Sequence, residues 1–436
     1  MKARVCLLGL VLLCSACTAP SLRYKKEVQG LLSSRKIEEA AVRVETAKEK
    51  HYSERDTSLF YLDKALLLHD SHQPHESDIL FSSAQQHIYE HSAKSVSGSL
   101  GTLLINDLTA PYSVASYEQA LTYFFRAMNF LEQNKLSSAV VEARKAVFFL
   151  DKLRGSKSSG YNDDPFVQYF ASLLFESEGN LSSARIARYN SLQAYERLGA
   201  DLKVSAPEFY IPSDAQEWGE VILFHYNGLL PLKKTVTLML SWNELVSYAS
   251  YPEEGYGNIA PEVQNAILTA WVGHSAGIST PVLEQTPFQV ASSWVEANGQ
   301  RYYTQKVADF AAAAHLDLKE KMPAILFRSA TRAVTKQVAS IQAGRAMTQA
   351  SGDESLGELV RLLVNIFGAA TEKADTRQWF TLPAEVRMTR IFVEPGNQNM
   401  RLLFSDGYGN IVGEHTFENV FVPKGGRVFL HHRTAY

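Results

Sequence analysis

Residues 117–151 constrain this chain more than any other stretch. Two amphipathic runs meet at Asn134-Lys135, which predicts a pair of helices joined by a short turn. Small and apolar residues fall at Ala127, Phe130, Asn134, Leu136, Ala139, Ala143 and Ala146. Closely packed helices need small side chains where they touch and larger ones in the gaps. The same spacing recurs at Val28, Leu31, Arg35, Ile37, Ala40, Val44 and Ala47. It recurs again at Ala65, Leu68, His72, Pro74, Ser77, Phe81 and Ala84, and at Ser172, Phe175, Gly179, Leu181, Ala184, Arg188 and Ser191.

This offset set is that of a tetratricopeptide helix pair, so residues 23–199 are expected to form an all-α tetratricopeptide-like solenoid. An irregular helical bundle is the competing reading. The copies are separated by insertions at 92–112 and 154–164 rather than spaced at a strict 34-residue period. The second insertion is polar and rich in Gly and Ser, the composition of an exposed loop.

After Leu198-Gly199 the pattern changes, and Pro207 and Pro212 mark a linker. Residues 200–436 read as an α+β region, of one domain or two, with antiparallel strands and three helices. Strands are expected at 220–225 and 235–240, joined as a hairpin, and at 266–272 and 288–295. The three helices are expected at 306–321, at 324–347 with Pro323 in its first turn, and at 356–370. Strands at 386–393, 401–404, 411–417, 420–422 and 428–431, punctuated by Gly-containing turns, predict an antiparallel meander over 386–431.

The first residues speak to address. Lys2 and Arg4 precede an apolar run at 5–13, too short to span a bilayer and of signal-peptide length. Ser15-Ala16-Cys17 then resembles a bacterial lipobox, which implies a signal at 1–16, lipid attachment at Cys17 and a tether at 17–22. A plain cleaved signal is the alternative. Thr18 after the cysteine favours, by the same resemblance, the outer membrane. The cysteines are Cys6, Cys14 and Cys17, so a processed, lipidated chain would carry no disulfide and no thiol nucleophile. The net charge of −3, or −5 without Lys2 and Arg4, gives no electrostatic case for nucleic acid.

Several stretches together resemble an uncharacterised family of bacterial tetratricopeptide-repeat-containing lipoproteins. They are Asn106-Asp107, Pro111-Tyr112, Tyr117-Glu118 and Val141-Glu142-Ala143-Arg144, then Trp218-Gly219-Glu220-Val221 and Gly228 to Pro231. Arg328, Arg332 and Lys336 follow, with Ala374-Asp375-Thr376-Arg377-Gln378-Trp379 and Leu382-Pro383-Ala384. The resemblance implies a helical repeat domain and a β-containing domain on a lipid anchor. It carries no catalytic residues.

Four constellations invite chemistry. Gly273-His274-Ser275-Ala276-Gly277 has the spacing of a nucleophile elbow and suggests a serine hydrolase. Pro281 and Pro287 oppose the helix that must follow, and no oxyanion motif is present. His69, His72 and His75 recur at three-residue spacing, but Pro74 argues for a solvated turn rather than a metal site. Arg328, Arg332 and Lys336 form a basic stripe suited to an anion or a partner, against which stands ordinary ion pairing. Trp242, Trp271, Trp294 and Tyr302-Tyr303 would suit a glycan or lipid.

The expected function is a non-enzymatic interaction or assembly module of the bacterial envelope, needing no cofactor or metal. Unidentified envelope proteins would engage the concave face of the solenoid, and the membrane would hold Cys17.

Overall fold

The computed structural model describes residues 21–94, 108, 110–157, 160–241, 247, 275–356 and 373–436, with the side chains of 91–94, 275–276, 334–339 and 341 outside that set. Cys17 and the lipobox, the expected strand at 266–272 and nearly all of the expected helix at 356–370 lie outside the described residues.

Helices occupy the N-terminal half and sheets dominate the rest. Four helical hairpins come first: α1 Leu22–Ser33 with α2 Ile37–Thr46, and α3 Thr57–Asp70 with α4 Pro74–Lys94. Then come α5 Ser116–Glu132 with α6 Leu136–Ser156, and α7 Pro165–Ser177 with α8 Leu181–Leu202.

One turn closes all four. Arg35, His72, Asn134 and Gly179 hold φ of 61°, 54°, 58° and 82°. They occupy the same place in the repeated spacing. The following amide reaches back five residues each time: Lys36 N to Leu31 O (2.9 Å), Gln73 N to Leu68 O (2.9 Å), Lys135 N to Phe130 O (2.8 Å) and Asn180 N to Phe175 O (2.9 Å). This left-handed cap satisfies carbonyls that a helix end leaves open. Ala40, Ala65, Ala127, Ala139, Ala184, Ser77 and Ser172 are all buried between helices, as the spacing requires.

The strands are β1 Gly219–Asn227, β2 Leu232–Ser241, β3 Ser275–Glu284, β4 Ser292–Ala297, β5 Gln300–Tyr303 and β6 Gln305–Asp309. After helix α9, Phe310–Ser351, come β7 Glu385–Val393, β8 Gly396–Ser405, β9 Ile411–Val422 and β10 Arg427–Thr434. They form sheets of order β10-β1-β7-β6, β2-β3 and β5-β4-β8-β9.

β1 is buried along its whole length. Its side chains alternate faces. Ile222, Phe224 and Tyr226 join the core shared with the helices, while Val221 and Leu223 join Val295, Leu402 and Phe404 beneath the third sheet. The result is three layers, helices on sheet on sheet. The helix-side core runs from Tyr24 to Ala435 without a break at residue 199.

Four expectations are corrected. β1 and β2 do not form a hairpin: β1 pairs with β7 and β10, and β2 with β3. A strand apolar on both faces is central and takes neighbours on both edges. Gly228 (φ 71°) steers the chain away, and a Cβ there would lie 2.5 Å from the Phe288 ring. Residues 386–431 are not one meander, because β10 runs parallel to β1 while β8 pairs with β9. The strand expected at 288–295 lies later, at Ser292–Ala297.

The two helices expected at 306–321 and 324–347 are one, α9, preceded by strand β6. Pro323 sits inside it with its ring exposed. Loss of one amide bond on the solvent side is tolerated because buried Ala312, Ala313, Leu318, Phe327 and Ala330 continue the packing on both sides of it.

Candidate functional site

Residues 373–384 run without regular secondary structure across the first helices of the first three hairpins, α1, α3 and α5. Lys25 Nζ of α1 donates to Thr376 O (2.5 Å). Gln29 Nε2 donates to Phe380 O (3.2 Å) and to Leu230 O (3.0 Å). Asp63 Oδ1 of α3 accepts from the amide and hydroxyl of Thr381 (3.3 and 3.0 Å). Glu118 Oε1 of α5 accepts the amide of Trp379 at 3.0 Å. All four helix residues are buried. The helices therefore hold this strap by its backbone, while Trp379 fills the groove against Phe81 and Phe125.

Arg377 anchors the strap's entrance. Its guanidinium grips Asp375 and reaches Asp56 (3.1 Å) and Ala110 O (2.8 Å). Asp375 and Arg377 thus form an ion pair, and the guanidinium's fork of donors suits the carboxylate. Burial pushes the Lys25 ammonium down to about 7 and the Asp63 carboxyl well above its ordinary value. Both shifts follow from placing charge in a low-dielectric groove.

Beyond the strap lies a histidine junction. His69 lies in the last turn of α3, Glu132 ends α5, and His431 comes from β10. One ligand atom of each lies within 4.8 Å of the others. The His69 and His431 rings stack with centroids 4.2 Å apart. Burial holds His69 down to about 4 and His431 well below the usual imidazole value. His72 Nδ1 bonds Glu132 at 2.8 Å, and that carboxylate raises the His72 value. The solvated turn expected at His72 and His75 is met at His72; His75, also exposed, lies in the first turn of α4, and His69 is buried on α3. His431 had no signal in the sequence, because β10 meets α3 only through the parallel pairing of β10 with β1.

A cleft of about 650 Å³ opens near the ends of β1, β7 and β10, lined by Trp218, Phe392 and Phe429 among others. Its charges satisfy one another: Glu220 bonds Arg390 (2.5 Å) and Arg427 (2.6 Å), and Arg427 reaches Glu176 (3.1 Å).

The remaining expected residues are scattered. Arg332 is only 2% exposed and its Nη2 donates to Ser329 Oγ (3.3 Å), so this member of the expected basic stripe is turned away from solvent. Arg328 is half-buried, and the Lys336 side chain lies outside the described set. Ser275 opens β3 in register with Ser241, an extended backbone rather than a strand-to-helix elbow. Gly273 and His274 lie outside the described residues, as do Trp242 and Trp271. Trp294 is buried beside Tyr303, which is 63% exposed.

Comparison with known proteins finds no matching family model, no matching curated protein and no matching solved structure.

Proposed function

We propose that this chain is a lipid-anchored cell-envelope protein that acts as a non-enzymatic interaction or assembly module built on a tetratricopeptide-like solenoid. The observation that carries the proposal is the grip of three successive inner helices on the backbone of residues 373–384. Side chains aimed at peptide groups are how a helical groove holds an extended chain. Four identical left-handed turns at one repeated offset support the repeat assignment. The lipobox-like Ser15-Ala16-Cys17 supports the anchor, and Ser21 caps α1 four residues after Cys17.

The strap fills the inner face, so a partner meets the outer helices instead. This revises the expectation of a concave docking face. Tyr89 on α4 (77% exposed), Phe148 on α6 (73% exposed) and Ile186 and Tyr189 on α8 are large and apolar, and they point to solvent. Exposed aromatic side chains of this kind favour protein contacts.

The test is a photo-crosslinking amino acid placed at Phe148 and at Tyr189 in the native envelope, with Trp379 as the buried control. Discrete protein adducts at the outer positions and none at Trp379 are expected. Absence of adducts at both outer positions would overturn the partner reading. Recovery of Cys17→Ala in the membrane fraction would overturn the anchor.

A further inference from the structure

We propose that His69, Glu132 and His431 form a binding site for one divalent transition-metal ion, of the zinc or cobalt kind, that pins the helices to the sheet. This inference stands independently of the interaction-module reading.

The donors are of the right kind and number. Two imidazoles and one carboxylate suit zinc, cobalt or nickel, whereas calcium and magnesium prefer all-oxygen sites. Three protein ligands leave a fourth, open position on a tetrahedral ion. The ligand atoms lie within 4.8 Å of one another. A metal bound at about 2.1 Å holds its ligands at most about 4 Å apart, so closing the set takes only small side-chain movements.

His431 supplies the independent sign of a ligand. It is 6% exposed, and its Nε2 has no hydrogen-bond partner. A buried imidazole nitrogen left unpaired is uncommon and calls for an occupant. The neighbouring rings occupy its flanks: His69 stacks on one side and Tyr226 lies 5.4 Å away, centroid to centroid.

The tautomer of His69 follows from a chain of bonds. Ser77 Oγ donates to Ala65 O (2.7 Å), so it accepts from Asn129 Nδ2 (2.9 Å). That turns Asn129 Oδ1 towards His69 Nδ1 (2.7 Å), which must therefore carry the proton. The Nε2 lone pair is then free to ligate, met now only by a long contact to Tyr226 OH at 3.3 Å. An Nδ1–H held by an amide oxygen is the outer-shell arrangement that orients a metal-binding histidine. Glu132 has the matching support from His72 Nδ1 at 2.8 Å, and its partly exposed side chain gives an ion a way in.

The rings lie only 14° from parallel, so their lone pairs run side by side rather than towards one point. Binding turns His431 out of the stack, at the cost of its hydrogen bond to the His69 backbone but of none at Nε2. The neighbouring Arg433 is paired with Asp70 at 3.4 Å, which leaves Glu132 to offset the ion's charge.

The experiment is a cobalt titration of the untagged, metal-stripped full chain, read by visible absorption and repeated with zinc in competition. One Co²⁺ per chain, the absorption of a tetrahedral nitrogen and oxygen site, and displacement by zinc are expected. Glu132→Gln, at the solvent edge, should weaken binding by more than about 100-fold while leaving the metal-free fold intact, and His72→Ala should weaken it about 10-fold. His431→Gln should abolish the cobalt spectrum. No saturable uptake by the wild-type chain overturns the proposal. Uptake that survives in Glu132→Gln at wild-type affinity overturns it equally, even if His431→Gln fails to fold.

Discussion

Glu118 accepts the backbone amide of Trp379 at 3.0 Å, across 261 residues of chain. The same carboxylate takes the amide of Ala115 (2.9 Å) and the hydroxyl of Tyr112 (2.6 Å). One side chain therefore caps helix α5, fixes the approach to it and docks the strap.

Truncating that carboxylate strands these three donors and the Tyr117 hydroxyl, which reaches it at 3.4 Å. Glu118→Ala is expected to lower stability by about 3–5 kcal/mol, because each buried donor left unpaired costs about 1–3 kcal/mol. Glu118→Gln keeps the shape and one acceptor, and should cost about half as much. Urea unfolding of the two variants checks the order. If Gln proves as damaging as Ala, charge rather than donor satisfaction governs the site.

Trp379 is the strap's main apolar anchor, wedged against Phe81 and Phe125. Trp379→Ala should cost about 3–5 kcal/mol. It should also expose residues 373–384 to protease before the helices are cut, because the strap has no secondary structure of its own. Limited proteolysis followed by mass spectrometry reads the first cut. A first cut within α1–α8 would contradict the idea that the strap is the weaker element.

What the sequence disclosed follows from the range of the interactions. The hairpins were legible at Arg35, His72, Asn134 and Gly179 because a helix-closing turn is decided within five residues. The strands at 220–225 and 386–393 were legible because their apolar runs are local. The strap was not. Ala374 to Ala384 shows an unusual composition, but nothing in it names Lys25, Asp63 or Glu118 as receptors, and those pairings span more than 260 residues. The parallel pairing of β10 with β1 was hidden for the same reason, and the meeting of His69 with His431 with it. Pro323 misled in the opposite sense: a local rule predicted a break that tertiary packing on α9 overrides.

Gly228 tests the turn that sends the chain out of the central sheet. Its φ of 71° disfavours any side chain, and a Cβ would meet the Phe288 ring at 2.5 Å. Gly228→Ala should destabilise by about 2–4 kcal/mol from strain and overpacking together. Adding Phe288→Ala should recover only the steric part. Thermal unfolding of the single and double variants separates the two contributions. A single variant as stable as the wild type would mean that this turn is not confined.

Lys25 gives the chain a pH dependence of defined sign. Burial lowers its folded value from 10.5 to about 7, while the unfolded chain keeps the ordinary value. Between about pH 7 and pH 10.5 the unfolded state therefore binds the extra proton, and stability rises with pH across that window. The slope for one proton is about 1.4 kcal/mol per pH unit. Neutral Lys25 still donates to Thr376 O, so the strap stays docked as the charge is lost. Asp63, whose folded value is raised, acts in the opposite sense, losing stability as pH climbs above the ordinary carboxylate range. Comparing wild type with Lys25→Met at each pH isolates the Lys25 contribution together with its charge coupling to Asp63. The unfolding temperature of the wild type should climb relative to that of Lys25→Met from pH 7 to pH 9.5. Parallel curves would show that the ammonium remains charged inside the groove, held there by Asp63.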